Sequence, residues 1–307
     1  MKNRTIMMIG VVALVVIAVG YWYFTIGTQN IAATIEIDGS STVYPVTQAV
    51  AEEFLKVYPD VYPVVGVSGT GGGFKRFTVG ETDISDASRP IKASEAQVAV
   101  DNGIEYFEFE IALDGLAVVV NFDNTWVDFL TVEELNVIWN PESEVDSWDD
   151  IRPEWPDHPI RLYGPGTDSG TFDYFTEVIN GESGSSRSDY TASEDDNVLV
   201  QGISGDNYAL GYFGYAYYAE NAGILKIIPI DSGRGPITPT DQTINTGQYE
   251  PLSRPLFIYV NKASLQRTEV EDFVRFYMEN AEQLVSEVGY TPLPASVYQQ
   301  NLADLEQ

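Results

Sequence analysis

Short apolar runs alternate with amphipathic stretches along most of the chain. Ala33 to Ile37 reads as a strand; the polar turn Asp38, Gly39, Ser40, Ser41, Thr42 follows, then a helix opened near Pro45 in which Val46, Val50, Phe54 and Val57 recur at helical spacing. The same order returns twice. Tyr62 to Val67 leads into the turn Ser68 to Gly73 and a helix carrying Phe74 and Phe77; Ile160 to Tyr163 leads into Gly164 to Thr171 and a helix over Phe172 to Ile179. Leu256 to Val260 is a continuous apolar run of the kind buried on both faces. Val270, Phe273, Val274, Tyr277, Met278, Ala281, Leu284, Val285 and Val288 trace a long amphipathic helix that Gly289 stops. Strands alternating with helices predict an α/β fold with largely parallel sheets. Asn180 to Asn197, rich in Ser, Gly and acids, is expected as a surface loop, and the stripe Tyr208, Tyr212, Phe213, Tyr215, Tyr217, Tyr218 as packing rather than a ligand platform.

One stretch departs from this alternation. Ile6 to Ile26 carries no charge and has no polar face, and as a helix it would be roughly 32 Å long, enough to cross a bilayer. Lys2 and Arg4 precede it and no acidic residue appears before Glu36, so the N-terminal end is expected to stay cytoplasmic and the remainder to be exported. Residues 1–26 are therefore expected to form an N-terminal transmembrane helix, an uncleaved anchor in preference to a cleaved signal, with 27–33 as spacer.

Composition narrows the chemistry. The 307 residues include 46 Asp plus Glu against 16 Lys plus Arg, a formal charge of -30, which excludes phosphate-backbone binding and with it nucleic acid as a partner. There is no Cys, hence no disulfide, thiolate metal site or Cys nucleophile. The single histidine, His158, lies between Asp157 and Pro159, and no Ser-His-Asp arrangement can be argued around it. No catalytic residue, metal or cofactor is expected.

The three turns have a use beyond changing direction. A helix N-terminus presents unpaired N–H groups and the positive end of a dipole, glycines let the backbone approach a ligand, and hydroxyls add donors. Three such turns in one chain point to an anion site. The Gly-rich turn is neither a nucleotide P-loop nor a dinucleotide fingerprint, because neither spacing occurs. Four of the scarce cations, Lys75, Arg76, Arg89 and Lys92, lie close together in sequence. Among them Arg89 is the expected ligand group, since its planar fork matches a tetrahedral oxyanion.

Gly39 to Pro45, Ser68 to Gly73, Asp83 to Pro90 and Thr167 to Thr171 occur in the order and spacing of the phosphate-binding proteins of ABC phosphate importers. The likeness extends through Gly211 to Tyr215 and Arg254 to Val260 to the final helix, and this chain resembles the variants with a Ser-Arg pair in the second-strand motif. The resemblance implies a bilobal periplasmic solute-binding protein fold of type II, two α/β lobes joined by hinge strands, with lobe 1 formed by 34–115 and 253–307 and lobe 2 by 116–252. It implies high-affinity binding of inorganic phosphate outside the cytoplasm by a monomer that delivers it to ABC permease subunits. Carried over by motif, Ser41, Thr42, Thr70, Ser88 and Arg89 would hold the ligand from one lobe and Ser169, Gly170 and Thr171 from the other, with Ser40, Gly71, Asp86 and Asp168 as further candidates. Two departures stand out: the best-known members have an Asp where Ser88 stands and an Arg where Pro165 stands. Arg89 is the expected replacement for the missing charge, and Asp86 or Asp168 for the missing proton acceptor. Sulfate or molybdate would suit the same donors, and an anchored sensor the same scaffold.

Overall fold

The computed structural model describes residues 33–167 and 169–306. In chain order the first half comprises β1 (Ala33–Gly39), α1 (Tyr44–Val57), β2 (Val61–Val67), α2 (Thr70–Phe77), β3 (Ile84–Ala87), α3 (Ala93–Asp101), β4 (Tyr106–Asn121), β5 (Leu130–Thr131), α4 (Val132–Trp139) and β6 (Arg161–Pro165). The second comprises α5 (Gly170–Asn180), β7 (Thr191–Ser193), α6 (Asp196–Ser204), β8 (Ala209–Gly214), α7 (Tyr215–Asn221), β9 (Leu225–Ile227), β10 (Ile230–Asp231), β11 (Pro236–Ile237), α8 (Asp241–Asn245), β12 (Ser253–Asn261), α9 (Thr268–Glu287) and α10 (Ala295–Asp304).

The main sheet runs β2-β1-β3-β12-β4-β8-β6-β7, with β9 added to β4, and β11-β10-β5 forms a small second sheet. Its flanks are parallel: β1 pairs β2 and β3 in parallel, as β6 does with β7 and β8. The centre is antiparallel, because β12 runs against both β3 and β4, and β4 against β8. β4 is the strand that joins the two halves. Tyr106 to Gly115 pairs with β12, and from Leu116 onward the partner is β8. Leu116, Val118 and Val120 enter the main core and Ala117 and Val119 a second cluster on the other face, so β4 reads as an apolar run rather than an alternation.

The apolar periodicity of the helices is used as expected, with one exception. Val46, Val50 and Phe54 are fully buried, and Phe54 meets Phe273 of α9 edge-on at 5.2 Å between centroids. Val57, at the end of α1, stays 60% exposed. The expected loop over Asn180 to Asn197 is interrupted by β7, which pairs with β6 because Thr191 to Ser193 can extend that sheet edge. Tyr212 stacks on Phe175 at 3.7 Å and meets Trp139 edge-on, in keeping with an aromatic stripe that packs. Among the described residues no helix is long and apolar enough to cross a membrane. The expected anchor over residues 1–26 lies outside the described residues.

Candidate anion-binding site

β1, β2 and β3 are parallel neighbours, so the turns that leave their C-terminal ends meet at one edge of the sheet. After β1 the chain turns sharply at Gly39, whose φ of 151° and closeness to the Asp86 carbonyl leave no room for a side chain: a Cβ there would stand 2.1 Å from that oxygen. The Ser40 amide donates to the same carbonyl at 2.9 Å, which anchors the Ser40-Ser41-Thr42 turn to the second-strand motif. After β2, Gly69 is the N-cap of α2 with φ 76°. After β3, the Ser88 amide donates to Thr70 Oγ1 at 3.2 Å, and the two hydroxyls are 3.1 Å apart.

These turns enclose a cavity of about 280 Å³. Its wall brings together Ser40, Ser41, Thr42, Thr70, Gly71, Ser88 and Arg89 from one side, with Gly69. From the opposite side come Asp173 and Glu177, one turn apart on α5, and Ser183, whose hydroxyl donates to Asp173 at 3.0 Å. Arg254, at the start of β12, completes it. A larger cavity of about 450 Å³ in the other half contains no predicted site residue. Its buried Arg187 is fully occupied, donating to Asp189 at 2.6 and 2.7 Å and to the Ile138 and Val145 carbonyls.

Ser169, Gly170 and Thr171 stand differently from expectation. They open α5, with the Ser169 hydroxyl accepting from the Thr171 amide at 3.2 Å, but they do not line the cavity. The turn is pressed against Thr42 instead: a Cβ on Gly170 would lie 2.8 Å from Thr42 Oγ1 and 3.0 Å from Thr42 Cα. The first turn of α5 thus touches the α1 entry turn directly, and the next turns carry Asp173 and Glu177 into the wall.

Asp86 is a correction. Side chains alternate along β3, so Asp86 turns away from the cavity and is 1% exposed, with both carboxyl oxygens unpartnered in hydrogen-bond geometry. Burial raises its pKa to about 8; the nearby Thr47 hydroxyl offsets this in part and the Asp38 charge adds to it. A group so placed cannot accept a proton from a ligand in the cavity. Asp168 lies outside the described residues.

The two arginines of the wall differ in their commitments. Arg89 gives its fork to Glu95, Nη1 at 2.9 Å and Nη2 at 2.8 Å, and Nη1 also donates to the Pro90 carbonyl at 3.0 Å. Burial opposes the charge of Glu95, yet the Arg89 fork and the Lys92 amide hold its pKa below the usual range. Arg254 donates Nε to Asp114 Oδ2 at 3.2 Å and Nη2 to Thr42 Oγ1 at 2.9 Å, and its Cζ lies 3.7 Å from the centroid of the Tyr174 ring. Sequence reasoning missed Arg254, Asp173 and Glu177. A signal existed for the first: Asp114 and Arg254 are lone opposite charges in or beside long apolar runs, and the cross-strand register sets them face to face. For Asp173 and Glu177 the signal was their spacing of four on the helix that follows the third turn.

Residues 26–281 match the PBP superfamily domain. Protein SphX of Synechocystis sp. is 52% identical over 268 residues, 86% of this chain and 80% of that protein. Phosphate-binding protein PstS of Staphylococcus saprophyticus is 40% identical over 271 residues, 88% of this chain and 83% of that protein. The crystal structure of a possible phosphate binding protein from Planctomyces limnophilus superposes with a TM-score of 0.85 at 54% identity, covering 89% of this chain and 99% of that one. With a strand that couples two α/β halves, a cavity lined by hydroxyls and arginines between them and relatives this similar, the chain belongs to the PBP superfamily and, within it, to the family of the phosphate-binding proteins PstS.

Proposed function

We propose that the protein binds inorganic phosphate in this cavity outside the cytoplasm and delivers it to an ABC phosphate transporter, acting as a binding protein and not as an enzyme. The observation that carries the reading is a single cavity walled by hydroxyls, a Gly-rich helix start and two arginines in a chain of charge -30. The change of partner along β4, from β12 up to Gly115 to β8 from Leu116, supports lobes of 34–115 with 253–307 and of 116–252, hinged where the pairing switches. Ser41, Thr42, Thr70, Ser88 and the backbone near Gly71 would hold the ligand from one lobe. The Ser169-Gly170-Thr171 helix start, which already rests on Thr42, would reach it from the other. Residues 1–26 would tether a monomer to the outer face of the membrane.

Selectivity follows from the carboxylates of the wall. Asp173 and Glu177 can accept a hydrogen bond only from a protonated ligand oxygen. Near neutral pH phosphate keeps at least one proton and sulfate keeps none, so sulfate meets like charge and unpaired acceptors. Calorimetry on the phosphate-free full-length chain, titrated with phosphate and then with sulfate, tests both points. Phosphate should bind at micromolar concentration or below and sulfate should fail to displace it, whereas Glu177→Gln combined with Asp173→Asn should narrow the difference by about tenfold or more. Absence of phosphate binding by the wild-type chain would sink the reading.

A further inference from the structure

Arg254 and Arg89 both reach the cavity, but only Arg254 keeps a terminal nitrogen without a hydrogen-bond partner among the described residues. Both terminal nitrogens of Arg89 are engaged by the Glu95 carboxylate, and Nη1 carries the Pro90 carbonyl as well. An anion could use that terminal pair only by displacing a carboxylate that the fork itself and the Lys92 amide already hold against the cost of burial. Arg254 is bound at Nε by Asp114 and through Nη2 by the Thr42 hydroxyl, while Nη1 has no hydrogen-bond partner among the described residues. Its side chain is 14% exposed, so this free edge lies in a largely desolvated wall where a charge-assisted hydrogen bond is strong.

The mounting of Arg254 is also unusual. Asp114 sits opposite it in the β4–β12 register, is 1% exposed and leaves Oδ1 unpartnered. Tyr174 of α5 lies against the guanidinium face, and its own hydroxyl is fixed on the Pro251 carbonyl at 2.6 Å. Asp114, Tyr174 and Thr42 thus hold one fork from the strand that couples the halves, from the far wall and from the near wall.

We propose that Arg254, rather than Arg89, is the cation that grips the bound anion. This rests on the phosphate reading above, and the experiment separates the two. Phosphate affinity is measured by calorimetry on the phosphate-free full-length wild type and on Arg254→Lys, Arg254→Gln, the double variant Arg254→Gln with Asp114→Asn, and Arg89→Gln, each with its thermal unfolding midpoint. Removing Arg254 alone strands the Asp114 charge and lowers stability, so the double variant restores neutrality at the strand crossing. The expected result is a loss on the order of 10- to 100-fold in affinity for both Gln-containing Arg254 variants, even where the double variant recovers the unfolding midpoint. Arg254→Lys, which keeps the charge and loses the fork, should fall between these and the wild type, and Arg89→Gln should lose less than any of them. The proposal is overturned if a folded Arg254 variant binds phosphate within threefold of wild type, or if Arg89→Gln suffers the larger loss. A wild-type chain that binds no phosphate overturns the phosphate reading instead.

Discussion

At the scale of single residues, the acids of this chain behave in opposite ways according to what surrounds them. Asp38 accepts from the Gly39 and Ser68 amides and pairs with Arg76 at 2.5 Å, so a buried carboxylate is fully used to tie the first two turns together. Asp86, on the neighbouring strand β3, has no amide or arginine donor of this kind, and burial raises its pKa from 3.8 to about 8. A carboxyl that is harder to ionise in the folded state binds more protons there than in the unfolded chain. The native state is therefore favoured most below pH 3.8, and this contribution is lost as pH rises from there to about 8. Asp86→Asn should gain on the wild type across that window, on the order of 2 kcal/mol by pH 8, short of the full linkage value because the site can relax. Urea denaturation of the two proteins at pH 4.5 and pH 8.5 measures it, and parallel curves at both values would rule the account out.

At the scale of elements, the Gly-rich turn shows why its glycines are not interchangeable. Gly69 supplies the left-handed N-cap of α2, and a Cβ there or at Gly71 would meet nothing within 4 Å. Gly73 answers to packing: a Cβ there would stand 2.6 Å from Gly39 Cα and 2.8 Å from Ser85 Oγ, because α2 rests on the end of β1. Gly73→Ala should destabilise the fold by about 1–3 kcal/mol, read as a lowered unfolding midpoint, while Gly71→Ala should leave that midpoint near wild type. Gly170→Ala acts across the cavity. Its methyl would force the first turn of α5 away from Thr42, so phosphate affinity should fall by about tenfold with little change in unfolding, as an overpacking cost of 1–2 kcal/mol would give.

At the scale of the whole molecule, a protein of charge -30 is built around a site for an anion. Long-range steering opposes the ligand, and attraction is left to donors that act at contact distance. At physiological ionic strength the Debye length is about 8 Å, so distant surface carboxylates are largely screened from the cavity. Stopped-flow association of phosphate should therefore speed up with added salt; a slowing would mean that the local field of the cavity is positive and dominates. The wall itself mixes signs, with Arg89 and Arg254 beside Asp173 and Glu177 and each arginine ion-paired to a carboxylate outside the lining, Glu95 and Asp114, which makes hydrogen bonding rather than net charge the basis of recognition.

The residue order by itself determined the alternation of strands and helices, the three turns that end them and the exclusion of nucleic acid, thiol and histidine chemistry, because each depends on spacing or composition within a short window. It also carried the hydroxyls of one cavity wall, since parallel strands in one sheet bring their C-terminal turns to one edge. Only the tertiary structure decided how each arginine's donors are committed. Arg89 and Glu95 are six residues apart, but nothing in their spacing says that the fork closes on the carboxylate. Arg254 reaches Thr42 across 212 residues and Asp114 across 140, pairings fixed by strand register and not by any local pattern. The same holds for Asp86, which leaves the cavity because side chains alternate along β3 and its own points to the face packed by Thr47 and Tyr277.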